Sequence, residues 1–89
     1  MSEPIETKRK RLYMRSIRRG IKEMDLILMA FSDAHLSTMD ETELGLYDKL
    51  LSENDHDLYQ WVGEQAQEPD IYKELMDRMR AGAVGVTKP

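Results

Sequence analysis

Residues 20–31 read Gly20-Ile21-Lys22-Glu23-Met24-Asp25-Leu26-Ile27-Leu28-Met29-Ala30-Phe31, and their periodicity decides the fold class. Met24, Ile27, Leu28 and Phe31 recur at spacings of three and four, which gathers them on one face of an α-helix. Gly20 ahead of them marks a junction. Helices often close on glycine, because it accepts a left-handed or tightly packed backbone. Upstream, a first helix is predicted from about Ile5 to Arg18. Leu12, Tyr13 and Ile17 fall on one side of it, with Lys8, Arg9, Lys10, Arg11 and Arg15 mostly on the others.

Downstream, residues 33–39 read as a linker, and Asp40-Glu41-Thr42-Glu43 as a capping box that opens a third helix. Leu44, Tyr47, Leu50 and Leu51 form the apolar stripe of that helix, which ends at Ser52-Glu53-Asn54-Asp55. Asn54 or Asp55 then caps a short fourth helix holding Leu58, Trp61 and Val62. Gly63 to Glu68 is a polar break, and Pro69 suits the first turn of a fifth helix, where its missing N–H is no loss. Ile71, Leu75 and Met79 recur every four residues, Gly82 and Gly85 close the helix, and the residues beyond form a mobile tail. The expectation is an all-α protein: one domain over residues 1–89, ordered over about 5–81, folded as a compact bundle of five short helices.

A chain of 89 residues lies near the lower end of what one core holds together unaided, so one domain is the ceiling. It has no cysteine, hence no disulfide framework and no thiolate chemistry, which is compatible with a reducing compartment. Met1-Ser2-Glu3-Pro4-Ile5-Glu6 carries acids and a proline where a signal peptide needs a positive flank and then an apolar run; a mitochondrial presequence would also avoid acids. No apolar run approaches the roughly 18 residues that span a bilayer. A soluble, cytoplasmic protein without membrane insertion is expected.

The net charge is −4, but its distribution is lopsided. Residues 1–22 hold eight basic side chains against two acidic ones, and residues 23–89 hold five against fifteen. A basic block of this kind suits nucleic acid, an anionic membrane surface or an acidic protein partner. The acidic remainder argues against a duplex binder, since phosphate would repel most of the surface.

Catalytic chemistry is scarce. His35 and His56 have acidic neighbours but no metal-ligand spacing, and read as exposed loop or cap residues. No glycine-rich phosphate loop or nucleophile elbow is present. The acidic pairs read as a solvated face. A bundle this small is also expected to lack a pocket of ordinary ligand size, roughly 300 to 1,000 Å³. Met24, Met76 and Met79 read as core filler, and Trp61 as the core anchor of the fourth helix. The chain is therefore expected to bind a partner rather than to catalyse a reaction.

Within Arg18-Arg19-Gly20-Ile21-Lys22-Glu23-Met24-Asp25, Arg19 and Glu23 have the four-residue spacing of a helical ion pair, worth a few tenths of a kcal/mol. Glu23 would also offset the positive start of a helix. Neither role explains Gly20 between them, which in a continuous helix costs about 1 kcal/mol. A junction glycine lets another backbone approach and leaves Arg19 and Glu23 splayed around a bare patch of main chain, suited to docking a partner.

The pattern Arg19-Gly20-x-x-Glu23-x-Asp25 resembles the R-G-x-x-E-x-D signature of the bacterial SdhE proteins and their mitochondrial counterpart, the succinate dehydrogenase assembly factor 2 family. The resemblance extends to Leu26 to Phe31, to Asp40-x-x-Glu43 opening a helix with Leu50-Leu51, and to Asp57-Leu58-Tyr59-Gln60-Trp61, spanning about residues 9 to 80. His56 stands where such chains often have proline, a departure confined to a helix cap.

The resemblance implies a five-helix bundle that binds the flavoprotein subunit of succinate dehydrogenase, and in bacteria often that of fumarate reductase. It implies that the factor promotes covalent attachment of FAD to a histidine of that client. FAD then belongs to the client, and the factor has no cofactor or metal of its own. Carried onto this sequence, Arg19, Gly20 and Glu23 would contact the client near its flavin site, and Asp25 would support the local geometry. Arg15 and Arg18 would extend the basic side, on charge alone. The free chain is expected to be a monomer that does not bind nucleic acid. The rival reading is a small nucleic-acid-binding or regulatory protein using Lys8 to Lys22, with only Tyr13 and Ser16 available as readers.

Overall fold

The computed structural model describes residues 3–17 and 20–87, the side chains of 83–87 excepted. Five α-helices make up the framework among the described residues: α1 (Ile5–Ser16), α2 (Lys22–His35), α3 (Glu41–Leu51), α4 (Asp55–Val62) and α5 (Lys73–Thr87). Short 3-10 turns at Leu36–Thr38 and Asp70–Tyr72 lead out of α2 and into α5. The radius of gyration is 12.4 Å, close to the ~12 Å of a compact chain of this length.

The central helix is α2, whose most extensive packing is against α5, with α1 and α4 also in contact. The predicted stripe of Met24, Ile27, Leu28 and Phe31 is buried throughout, as is that of α3: Leu44, Tyr47, Leu50 and Leu51. Leu12 joins from α1, Leu58 and Trp61 from α4, and Tyr72, Leu75, Met76 and Met79 from the α5 end, all in one core. The three methionines expected as filler are all within it.

A buried polar thread crosses this core. Ser16 Oγ donates to the Leu12 carbonyl at 2.7 Å and lies 2.6 Å from the Tyr47 hydroxyl, which is 3.3 Å from Ser32 Oγ. Hydroxyls buried without partners would cost about 1–3 kcal/mol each, so the thread fixes how α1, α2 and α3 meet.

The capping box of α3 forms as read: Glu43 N–H donates to Asp40 Oδ1 at 2.8 Å, and Asp40 N–H to Glu43 Oε1 at 3.1 Å. Asn54, rather than Asp55, caps α4 by accepting from His56 N–H. That helix ends in a Schellman turn, with Gln65 N–H bonded to the Gln60 carbonyl and Glu64 N–H to the Trp61 carbonyl. Its left-handed position is held by Glu64 at φ 59°, not by the adjacent Gly63.

Five expectations require correction. The first helix ends at Ser16, two residues early, where the serine hydroxyl turns inward. The expected linker is the last turn of α2 plus a 3-10 turn, and it buries Leu36 and Met39. His35 lies in α2 with its ring 4.9 Å from Phe31, and is half-buried rather than a free loop residue. Pro69 precedes a 3-10 turn instead of entering the first turn of α5, and Ile71 is 52% exposed because Tyr72 takes the inward position. Finally, α5 runs through Gly82 and Gly85 to Thr87. Glycine costs a helix about 1 kcal/mol relative to alanine, a penalty that an already anchored helix absorbs.

Candidate partner-binding surface

Four basic residues of α1 are paired within the molecule. Arg11 forms a two-pronged bond to Asp48 of α3 at 2.9 and 3.2 Å while also holding Glu3, and Arg15 donates to Asp48 Oδ1, an oxygen it shares with Arg11. Lys8 reaches Glu41 at 3.1 Å. Arg9 donates to the carbonyls of Leu36 and Met39 at 2.9 and 3.0 Å, neutralising chain ends where α2 runs out, and pairs with Glu6. Asp48 is held below the usual carboxylate range, first by the hydrogen bond from Arg11. Lys8, Arg11 and Arg15 thus lay α1 on the acidic α3.

Two consequences follow for the sequence reading. Arg15, expected to extend a partner-facing basic surface, is engaged with Asp48 and Ser52. Ser16, one of two candidate readers of nucleic acid, is fully buried against Tyr47. Lys10 and Lys22 remain exposed.

The junction between α1 and α2 carries the signature. Arg18 and Arg19 lie outside the described residues. Gly20 is exposed, and so is Glu23 in the first turn of α2, whereas Asp25 is half-buried. Ile21 occupies the cap position of α2 and has no side-chain oxygen, so Glu23 and Asp25 are the acidic groups that offset the positive helix start. The Gly20 backbone is not left-handed, since no described glycine has a positive φ. Its main chain is not bare either: the Gly20 N–H donates to Asp55 Oδ2 of α4 at 2.7 Å. A Cβ at residue 20 would stand 3.3 Å from that oxygen. That contact is tight but falls on the flexible tip of a side chain, so what approaches the glycine is a carboxylate of the same chain rather than another backbone.

Contrary to the expectation of a pocketless bundle, two hollows of ligand size are present. An open groove of about 500 Å³ lies between α1 and the end of α2, with Tyr13, Met14 and Leu36 forming its apolar part and Lys10 and Asp33 on it. A polar cleft of about 320 Å³ lies along the chain from Glu64 to Glu68 and against Lys73 and Arg80. In that cleft Glu68, only 4% exposed, is clamped by Arg80 at 3.0 and 3.3 Å. Arg80 also donates to the Trp61 carbonyl at 2.9 Å and to Asp77 at 2.7 Å. Sequence reading missed this pair, placing Glu68 in a solvated break; the proline after it was the only hint of a fixed path. No described helix is long and apolar enough to cross a membrane.

Comparison with known proteins adds a second line. A family model described as the flavinator of succinate dehydrogenase matches residues 10–83. A zebrafish (Danio rerio) protein named succinate dehydrogenase assembly factor 2, mitochondrial, is 38% identical over 81 residues, which cover 88% of this chain and 51% of that one. A Candida glabrata protein of the same name is 41% identical over 86 residues, covering 86% and 56% respectively. One from Saccharomyces cerevisiae is 48% identical over 61 residues, 68% of this chain and 38% of its own. The chain spans about half the length of the first two relatives. These names correct the expected cytoplasmic location, because each relative is designated mitochondrial. A cysteine-free composition fits any reducing compartment, so it could not have made that distinction.

Proposed function

The chain belongs to the succinate dehydrogenase assembly factor 2 family, the flavinators of succinate dehydrogenase, and from that membership we propose that it binds the flavoprotein subunit of the enzyme and promotes covalent attachment of FAD to a histidine of that subunit. The observation that carries the reading is the complete signature, Arg19, Gly20, Glu23 and Asp25, at a helix junction where Gly20 and Glu23 are exposed. Arg19, Gly20 and Glu23 contact the client near its flavin, and Asp25 supports the start of α2. Arg18 lies beside them in sequence, while Arg15 acts from behind by holding α1 on α3.

The chain acts as a binding factor and not as an enzyme. FAD is the client's, and the histidine that receives it is the client's. The factor holds the client's domains in the arrangement in which attachment proceeds. A tenfold shift toward that state requires only about 1.4 kcal/mol of differential binding, well within a modest interface. The same chemistry extends to the flavoprotein subunit of fumarate reductase as a second client.

The internal pairing of Lys8, Arg9, Arg11 and Arg15 favours this reading over nucleic-acid binding. The test is size-exclusion chromatography of the chain mixed with purified flavoprotein subunit. Co-elution is expected for the wild type and its loss for Glu23→Ala; separate elution of the wild type contradicts the proposal.

A further inference from the structure

Gly20 has the widest conformational freedom in the signature, since no Cβ restricts its backbone, and a junction built on it alone would sample many orientations. A contact from outside the segment restrains it. Asp55 opens α4, and its Oδ2 accepts the Gly20 N–H at 2.7 Å. A charged acceptor makes this bond stronger than a neutral one. A Cβ here would stand 3.3 Å from the carboxylate oxygen, so glycine lets it approach without a shift. Capping of α4 does not depend on this side chain, because Asn54 already accepts the His56 N–H at 2.8 Å. Nor does the meeting of α1 with α2 and α3, which the Ser16–Tyr47–Ser32 thread secures.

We propose that Asp55 is a positioning residue for partner docking: its carboxylate fixes the Gly20 peptide and so presents Glu23 and the start of α2 to the client in one orientation. This rests on the docking role given to the junction above. The benefit is preorganisation. A junction ordered in the free chain loses less conformational entropy when the client binds.

The test titrates purified flavoprotein subunit of succinate dehydrogenase with the wild-type chain, Asp55→Ala and Asp55→Asn by calorimetry. The thermal midpoint and the Gly20 amide resonance of each free variant are followed in parallel. Asp55→Ala is expected to weaken binding about tenfold, equivalent to ~1.4 kcal/mol, with hydrogen-exchange protection of the Gly20 amide lost and the midpoint little changed. Asp55→Asn keeps an acceptor oxygen in place and is expected to recover most of the affinity. Wild-type affinity in Asp55→Ala despite a released Gly20 amide overturns the positioning role alone. An affinity loss that tracks a fall in the midpoint, without rescue by asparagine, also overturns it in favour of a folding role. No binding by the wild type overturns the docking reading itself, and the positioning role with it.

Discussion

Gly20 and Asp55 are 35 residues apart in the chain and 2.7 Å apart in space, main-chain N–H on carboxylate. This contact joins the α1–α2 junction to the start of α4. It changes what the glycine is for: a bare docking patch becomes a main-chain group already engaged from within, with the exposed side chains beside it left to meet a partner.

An arginine at position 20 tests that distinction. Its Cβ would press on the tip of the Asp55 side chain, which can swing aside, so the helices are expected to form. The long cation would nevertheless occupy the junction. Gly20→Arg is expected to abolish client binding while circular dichroism of the free chain keeps its helical signal. Loss of that signal would make Gly20 a folding residue.

The Glu68–Arg80 pair supports the other end of the molecule. Removing Arg80 leaves a carboxylate that is 4% exposed without its main partner, and Arg80→Ala is expected to lower unfolding free energy by about 3 kcal/mol in urea denaturation. The Arg80 hydrogen bond is the first cause holding Glu68 below its ordinary 4.5. A carboxylate depressed in the folded state stabilises above its unfolded value and loses that contribution as pH falls through the folded one. The thermal midpoint should therefore fall below about pH 4.5, and less steeply in Glu68→Gln. Equal slopes would remove the pair from the acid response.

Tyr72 makes the opposite prediction at high pH. Burial, and then the 2.8 Å bond to Glu53, push its hydroxyl up to about 12. A raised value means full stability below the ordinary 10.0, lost as pH rises through the folded one. Ultraviolet absorbance titration should show one tyrosinate forming near 12 with a parallel loss of helix, and Tyr72→Phe should lack that step.

Gly82 offers a gain. It lies within α5, and a Cβ there meets nothing within 4 Å. Gly82→Ala is expected to raise stability by about 1 kcal/mol through helix propensity, read as a higher denaturation midpoint. A drop would mean that the glycine serves an unrecognised close approach.

Much of this fold was legible because it is local. The stripes of α2 and α3, the Asp40–Glu43 capping box and the Asn54 cap each depend on residues a turn apart, and spacing alone exposes them. What escaped was long-range. Nothing near Arg11 or Arg15 in the chain announces Asp48, and Glu68 looks like any loop acid until α5 brings Arg80 against it. A charge count could register the basic block but not that Lys8, Arg11 and Arg15 would pair with α3. The signature was readable as a motif. The carboxylate that engages its glycine, 35 residues away, was not.

The central claim is that this chain promotes flavin attachment through its α1–α2 junction. Co-expression with the flavoprotein subunit of succinate dehydrogenase, scored by in-gel flavin fluorescence, tests it most directly. The wild-type chain should raise covalent labelling well above the level without it, and Glu23→Ala should return labelling toward that baseline. Equal labelling with and without the chain would contradict the account.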